Sequence, residues 1–339
     1  MRSLVCTSPG KFEYQDKGYP VSKKNFATIK IRRIGICGTD LHAFEGTQPY
    51  FSYPRILGHE LSGELVEVHE MPGFEKGDIV TFVPYFNCGK CIACRGNKPN
   101  CCVDLKVCGV HIDGGMVEYL GVPADKLVHG QGLNYDQLAM VEPFAIGAHA
   151  VGRADVKENE YVLVIGAGPI GLGVMEFAAI RKAIVIAMDV NTQRLEFCKK
   201  HLGVRYTINA SASDAARQIM EITNGDWPEV VMDATGNVFA ITNAFNYMSH
   251  GGRYVLVGLQ KGDICLSHPE FHKREATLMS SRNATSADFN YVITCIKTGL
   301  INPAGYVTHR TSFETLGSAF NDWLHPSSGV IKAMVEVGA

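Results

Sequence analysis

Two textures divide the chain. Up to about residue 145, apolar and polar residues alternate in short runs such as NFATIKIRRIGI (25–36) and GELVEV (63–68). Period two, broken by Gly and Pro, predicts half-buried strands. From about residue 147 the pattern changes. YVLVIG (161–166), AIVIAMD (183–189), EVVMDAT (229–235) and GGRYVLVG (251–258) are short β-branched runs, separated by helical stretches such as IGLGVMEFAAIRK (170–182) and TQRLEFCKKHLG (192–203). Strands alternating with helices predict βαβ units around a buried parallel sheet. After about Arg282 the texture is mixed again, and GVIKAMVEV (329–337) reads as a strand returning to the first region. The prediction is a β-rich domain over 1–146, completed by 283–339, with an inserted α/β domain over 147–282.

Composition changes this picture little. The chain has 339 residues, 46% of them hydrophobic and 19% charged, with a formal net charge of −2. Two domains are the expectation for that length, and no basic excess points to nucleic acid. The most apolar stretch, Tyr161–Ile180, carries four glycines and Pro169, so it reads as strand, turn and helix rather than a membrane span. The N-terminal apolar run is too short for a signal-peptide core. A cytoplasmic protein with reduced thiols is expected.

Six of the eleven cysteines crowd together. Cys88, Cys91, Cys94 and Cys102 follow C-x2-C-x2-C-x7-C, with Cys101 and Cys108 close by. Four thiolates so spaced can wrap one tetrahedral Zn²⁺ at about 2.3 Å. Such a site has no open position, so it would stabilise a loop and catalyse nothing. A group of free buried thiols or an iron–sulfur cluster are the alternatives. Cys102 fits the spacing better than Cys101. Cys108 and the dispersed cysteines read as small apolar fillers.

A glycine-rich turn supplies a second candidate. Gly166, Gly168 and Gly171 form G-x-G-x-x-G, with Pro169 and Ile170 between them, after one apolar strand and at the start of a helix. The next strand ends at Asp189, 18 residues beyond Gly171. That context suits a dinucleotide, with its pyrophosphate at the helix N-terminus and its ribose hydroxyls on the acid. Asp189 would repel a 2′-phosphate, so NAD is expected over NADP, although Arg194 nearby could tolerate one. Asp233–Gly236 and Val255–Leu259 would line the nicotinamide side.

Three more stretches carry metal-binding residue types: GICGTDLHAFEG with Cys37, ILGHEL with His59, and MVEPFA with Glu142. Three protein ligands plus water is the pattern of a catalytic zinc. Taken in order with the four-cysteine lobe, D-G-G-x-x-E-Y (113–119) and the glycine turn, these pieces resemble the zinc-dependent medium-chain dehydrogenases of the alcohol dehydrogenase superfamily. The likeness spans nearly the whole length. It implies a GroES-like catalytic domain and a Rossmann domain, with the active site in the cleft between them.

The resemblance implies that Cys37, His59 and Glu142 hold the catalytic zinc. Glu142-Pro143 marks the sorbitol and threonine dehydrogenase branch, where a glutamate replaces a cysteine ligand. Glu60 would approach the metal and exchange with bound water. Thr39 would take the proton of the substrate hydroxyl, His42 would pass it on, and Asp40 would orient His59 through its other ring nitrogen. Arg282 aligns roughly with an active-site arginine of the branch and could hold a substrate carboxylate, or instead form an ion pair. Asn283 follows it where that branch has an aromatic. Lys332 receives no role.

The implied reaction is NAD-dependent oxidation of a secondary alcohol on a sugar acid of the L-galactonate type or on a polyol. Sorbitol and L-threonine 3-dehydrogenases are the alternatives. Non-enzymatic reuse of the fold and the zinc-free quinone reductases are disfavoured, because the ligands are intact. A homodimer or homotetramer is expected, with two zinc ions per chain.

Overall fold

The alternating stretch near the N-terminus forms an 11-residue strand, Phe26–Ile36. Its apolar residues Ala27, Ile29, Ile31 and Ile34 are buried. In the computed structural model, which describes residues 1–338 apart from 22, 50, 70 and 213, this strand is the middle of a mixed sheet. It pairs antiparallel with Glu60–Val68 on one side. On the other it meets Tyr119–Pro123 near its start and Lys332–Glu336 at its end. The GVIKAMVEV segment therefore does return to the first region as a strand, and Val307–Ser312 lies parallel beside it. Leu4, Phe44, Leu61, Phe82, Phe313 and Val335 belong to the core beneath. A fully buried side chain of this size contributes about 1.5–3 kcal/mol.

The chain divides into residues 1–143 with 284–339 and residues 144–283. The division falls a few residues from the change of texture, because one helix, Val141–Ala154, runs through it.

In the second unit the four predicted strands are joined by two that the pattern did not single out, Tyr206–Asn209 and Thr277–Ser280, in a parallel sheet of six among the described residues. Its order is Tyr206–Asn209, Ile184–Asp189, Tyr161–Ile165, Val230–Asp233, Arg253–Leu256 and Thr277–Ser280. The first strand lies inside and the chain reverses direction across it, the doubly wound order of a Rossmann sheet. Val162, Leu163, Val164, Val230 and Val231 are fully buried, which is why these runs are apolar throughout rather than alternating. The helices Pro169–Ile180 and Thr192–Leu202 form where their period predicts. Among the described residues, no helix is long and apolar enough to cross a membrane.

Candidate active site and metal centres

The clustered thiols meet. The sulfurs of Cys88, Cys91, Cys94 and Cys102 all lie within 4.8 Å of one another. A left-handed turn at Gly89 (φ +72°) and the short helix Ile92–Arg95 wrap the chain round them. Backbone amides face inwards: Cys88 N donates to Cys102 Sγ at 3.3 Å and Asp104 N to the same sulfur at 3.4 Å. Amides of Cys94 and Val103 bring the Cys91 thiol down to about 6. Four sulfurs converging on one short loop are suited to a metal ion. Cys102 is buried and belongs to this group, whereas Cys101 is exposed.

A second group forms at one end of the mixed sheet. Strand register sets Gly35 opposite Glu60, which brings the residues just beyond, Cys37 and His59, side by side. Donor atoms of Cys37, His59 and Glu60 lie within 4.8 Å of one another. Asp40, fully buried on helix Gly38–Glu45, ties the two loops together. Its Oδ2 accepts from Cys37 N at 3.0 Å and its Oδ1 from Gly58 N at 3.1 Å. The same Oδ1 lies 3.7 Å from His59 Nδ1, an atom that is buried without a hydrogen-bond partner.

Glu142 is also buried, in the first turn of helix Val141–Ala154. It is not in the three-residue donor group; its Oε1 instead accepts from the Tyr85 hydroxyl. Burial pushes its carboxyl up to about 7, against the pull of His59. Burial alone would keep the His59 ring neutral, but Asp40, Cys37 and Glu142 outweigh it and push its pKa well above the ordinary value. Sulfur, imidazole and carboxylate donors with surplus negative charge around an orphaned ring nitrogen fit a zinc ion.

Two neighbours escape a reading of the sequence. Lys332 is buried, and its ammonium donates to Glu60 Oε1 at 2.6 Å and Oε2 at 2.7 Å. A lone lysine inside the apolar run GVIKAMVEV was the available signal. Tyr85 gave none, since an aromatic in a β-rich stretch usually packs and nothing more.

Thr39 is half-buried in the first turn of helix Gly38–Glu45. His42, one turn on and exposed, has its Nδ1 3.2 Å from Thr47 Oγ1 and 3.4 Å from Glu45 Oε2. A spacing of three puts Thr39 and His42 on one helix face. Arg282 is exposed and belongs to the second unit. Asn283 after it takes a left-handed conformation (φ +54°), with Nδ2 buried and unpartnered.

In the second unit, strand Tyr161–Ile165 leads into Gly166 (φ +97°), and helix Pro169–Ile180 begins after Gly168. A Cβ on Gly171 would collide with the Gly166 carbonyl, so only glycine allows the turn to close so tightly. Asp189 Oδ2 accepts from Ala167 N at 2.6 Å and its Oδ1 from Asn191 N at 2.7 Å. That carboxylate fixes the turn and retains lone pairs for a ligand. Arg194 reaches over the turn: a Cβ on Gly168 would lie 3.8 Å from its Nη1. Asp233 accepts from Thr235 N and Gly236 N, and the Gly236 backbone lies against Leu259.

Residues 23–132 match the family model for the alcohol dehydrogenase GroES-like domain, and residues 169–298 match the zinc-binding dehydrogenase model. The L-galactonate-5-dehydrogenase of Escherichia coli (strain K12) is 41% identical over 336 residues, which are 99% of this chain and 98% of that one. The chain is a zinc-binding dehydrogenase of the alcohol dehydrogenase family. A sorbitol dehydrogenase of Halalkalibacterium halodurans is 31% identical, with 95% of each chain covered. Among solved structures, the alcohol dehydrogenase rspB from Escherichia coli CFT073, complexed with NADH, matches at TM-score 0.92 and 30% identity over 99% of both chains. This zinc-binding dehydrogenase is thus a medium-chain oxidoreductase that acts on small-molecule alcohols with zinc and a nicotinamide cofactor.

Proposed function

We propose that the dehydrogenase oxidises a secondary hydroxyl of a sugar acid, of the L-galactonate type, to a ketone with NAD⁺. The observation that carries this reading is the group of half-buried Cys37 with buried His59 and Glu60, and buried Glu142 beside it. Zinc bound there supplies a Lewis acid that acidifies an alcohol and tolerates a chelating second oxygen. Cys37 and His59 are the fixed ligands, and Glu60 and Glu142 share the carboxylate role. Asp40 orients His59. Thr39 takes the hydroxyl proton, and His42 hands it to solvent. The turn Gly166–Gly171 would hold NAD⁺, with Asp189 on its ribose, and the cofactor would supply the hydride acceptor.

The similarity to L-galactonate-5-dehydrogenase supports the sugar-acid reading, and the sorbitol dehydrogenases support polyols as the second. Arg282, exposed as it is, remains our candidate for the carboxylate of an acid substrate. A panel of aldonates, polyols and L-threonine, followed by NADH absorbance with and without chelator, decides between them. Activity on aldonates that chelator abolishes is expected; activity on simple primary alcohols alone would overturn it. A larger kcat/KM with NADP⁺ would refute the role given to Asp189.

The four-cysteine lobe holds a second, structural zinc in this reading. Self-association is supported by the open edge strand Thr277–Ser280, with Leu278 partly exposed, and by Ile92 and Val103, 76% and 80% exposed on the lobe. Such edges and apolar patches are normally covered. A monomeric mass by light scattering would contradict it.

A further inference from the structure

Lys332 spans three adjacent strands. Strand Lys332–Glu336 pairs with the end of Phe26–Ile36, which pairs in turn with the start of Glu60–Val68. The register sets Ala333 against Ile36 and Gly35 against Glu60, so the side chain of neighbouring Lys332 passes the Gly35–Ile36 backbone to reach Glu60. The ammonium has three protons and three acceptors: both oxygens of Glu60 and the carbonyl of Ile36 at 3.1 Å. Gly35 lies between the two charges, and any Cβ there would collide with Glu60 Oε2. Glycine at that point opens the path along which carboxylate and ammonium meet.

Stability is a poor explanation for this arrangement. Taking both ions out of water costs more than an apolar pair of the same size would, so a buried ion pair is weak evidence of a stabilising role. Its location is more telling. Glu60 is a member of the metal-donor group, and Ile36 immediately precedes Cys37. Lys332 thus grips one candidate ligand and the backbone beside another.

We propose that Lys332 is a positioning residue that limits how much of the Glu60 carboxylate a metal ion at Cys37 and His59 can take. This rests on the zinc reading given above. With both oxygens engaged by the ammonium, Glu60 cannot turn wholly towards the ion, and a ligand position stays available to substrate. Without Lys332, Glu60 becomes a full ligand and the site closes.

The test uses the full-length protein and a chromophoric chelator competing for zinc, with the four-cysteine ion as internal reference. Lys332→Met is expected to hold the zinc at Cys37 and His59 about tenfold or more tightly than the parent, while kcat falls. In a Glu60→Gln background the same substitution should leave affinity nearly unchanged. Cobalt substituted for zinc should show weaker visible bands in Lys332→Met, reporting an added carboxylate. Parent-like or lower affinity in Lys332→Met, or an equal gain in both backgrounds, overturns the proposal. Lys332→Arg keeps a cation that grips both oxygens, so it should bind zinc no more tightly than the parent. Tighter binding there overturns the idea even if Lys332→Met does not fold. A parent with only one zinc per chain sinks the zinc reading itself; two zincs indifferent to Lys332 sink only this inference.

Discussion

The first unit holds two donor groups built on opposite plans. The four-cysteine group is local: its ligands lie within 15 residues, from Cys88 to Cys102, on an exposed lobe shaped by turns and short helices. The other is assembled from Cys37, His59 and Glu60 at the ends of two paired strands, with His59 and Glu60 buried and Cys37 half-buried. The local group is saturated with sulfur and surrounded by its own amides. The dispersed group mixes sulfur, nitrogen and oxygen and depends on distant residues, Lys332, Glu142 and Tyr85, for its charge balance. The difference separates a site that holds a loop from one that can do chemistry.

Substitutions should split the two sharply. His59→Ala or Cys37→Ser should lower kcat/KM on the order of 10³-fold, by removing several kcal/mol of metal assistance, with little loss of thermal stability. Steady-state kinetics alongside calorimetry reads both. Cys94→Ser should do the converse, lowering Tm by roughly 5–10 °C as the lobe loosens while a folded fraction keeps its turnover. Equal effects of the two on both readouts would erase the contrast.

A milder change should sharpen it. Asp40→Asn keeps the volume but weakens the grip on the Cys37 and Gly58 amides and on His59, so metal affinity at the buried site should fall about 10–100-fold. The affinity of the four-cysteine site, measured in the same titration, should not move.

The smallest effect lies in a partly exposed ion network of the first unit. Asp136 accepts from Arg33 at 2.6 Å and from Arg310 at 2.5 Å, joining a helix to two strands of the mixed sheet. Burial pushes its carboxyl up, but the two guanidinium groups outweigh this and hold it below the ordinary value. A depressed folded-state pKa contributes stability above the unfolded pKa of about 3.9, and that contribution is lost as pH falls through the folded value. The network is partly exposed and screened, so Asp136→Asn should cost only about 0.5–1 kcal/mol at pH 7. The gap to the parent should shrink in high salt and close as pH falls below the depressed folded-state value, as followed by denaturant unfolding.

How much was legible in the sequence follows the same divide. Spacing alone points to the four-cysteine group, because a local site writes its geometry into the intervals between its ligands. The glycine turn is legible for the same reason. The parallel strands and their helices could be read from period and length. The dispersed group was accessible only as residue types, since strand register decides which of them meet. Register put Glu60 in the three-residue group, and the placing of helix Val141–Ala154 paired Glu142 with Tyr85, a contact that no interval in the chain encodes. Arg282 illustrates the limit: its chemistry suits a carboxylate, yet exposure is a property of the fold.

Lys332 also orders events in time. It lies on the strand Lys332–Glu336, whose partner Phe26–Ile36 is made far earlier in synthesis. A growing chain carries Cys37, His59, Glu60 and Glu142 long before it carries the counter-charge that restrains them. The first unit must wait, with the inserted α/β unit already made, for the strand Lys332–Glu336 to leave the ribosome before its sheet and its buried charges can be completed together.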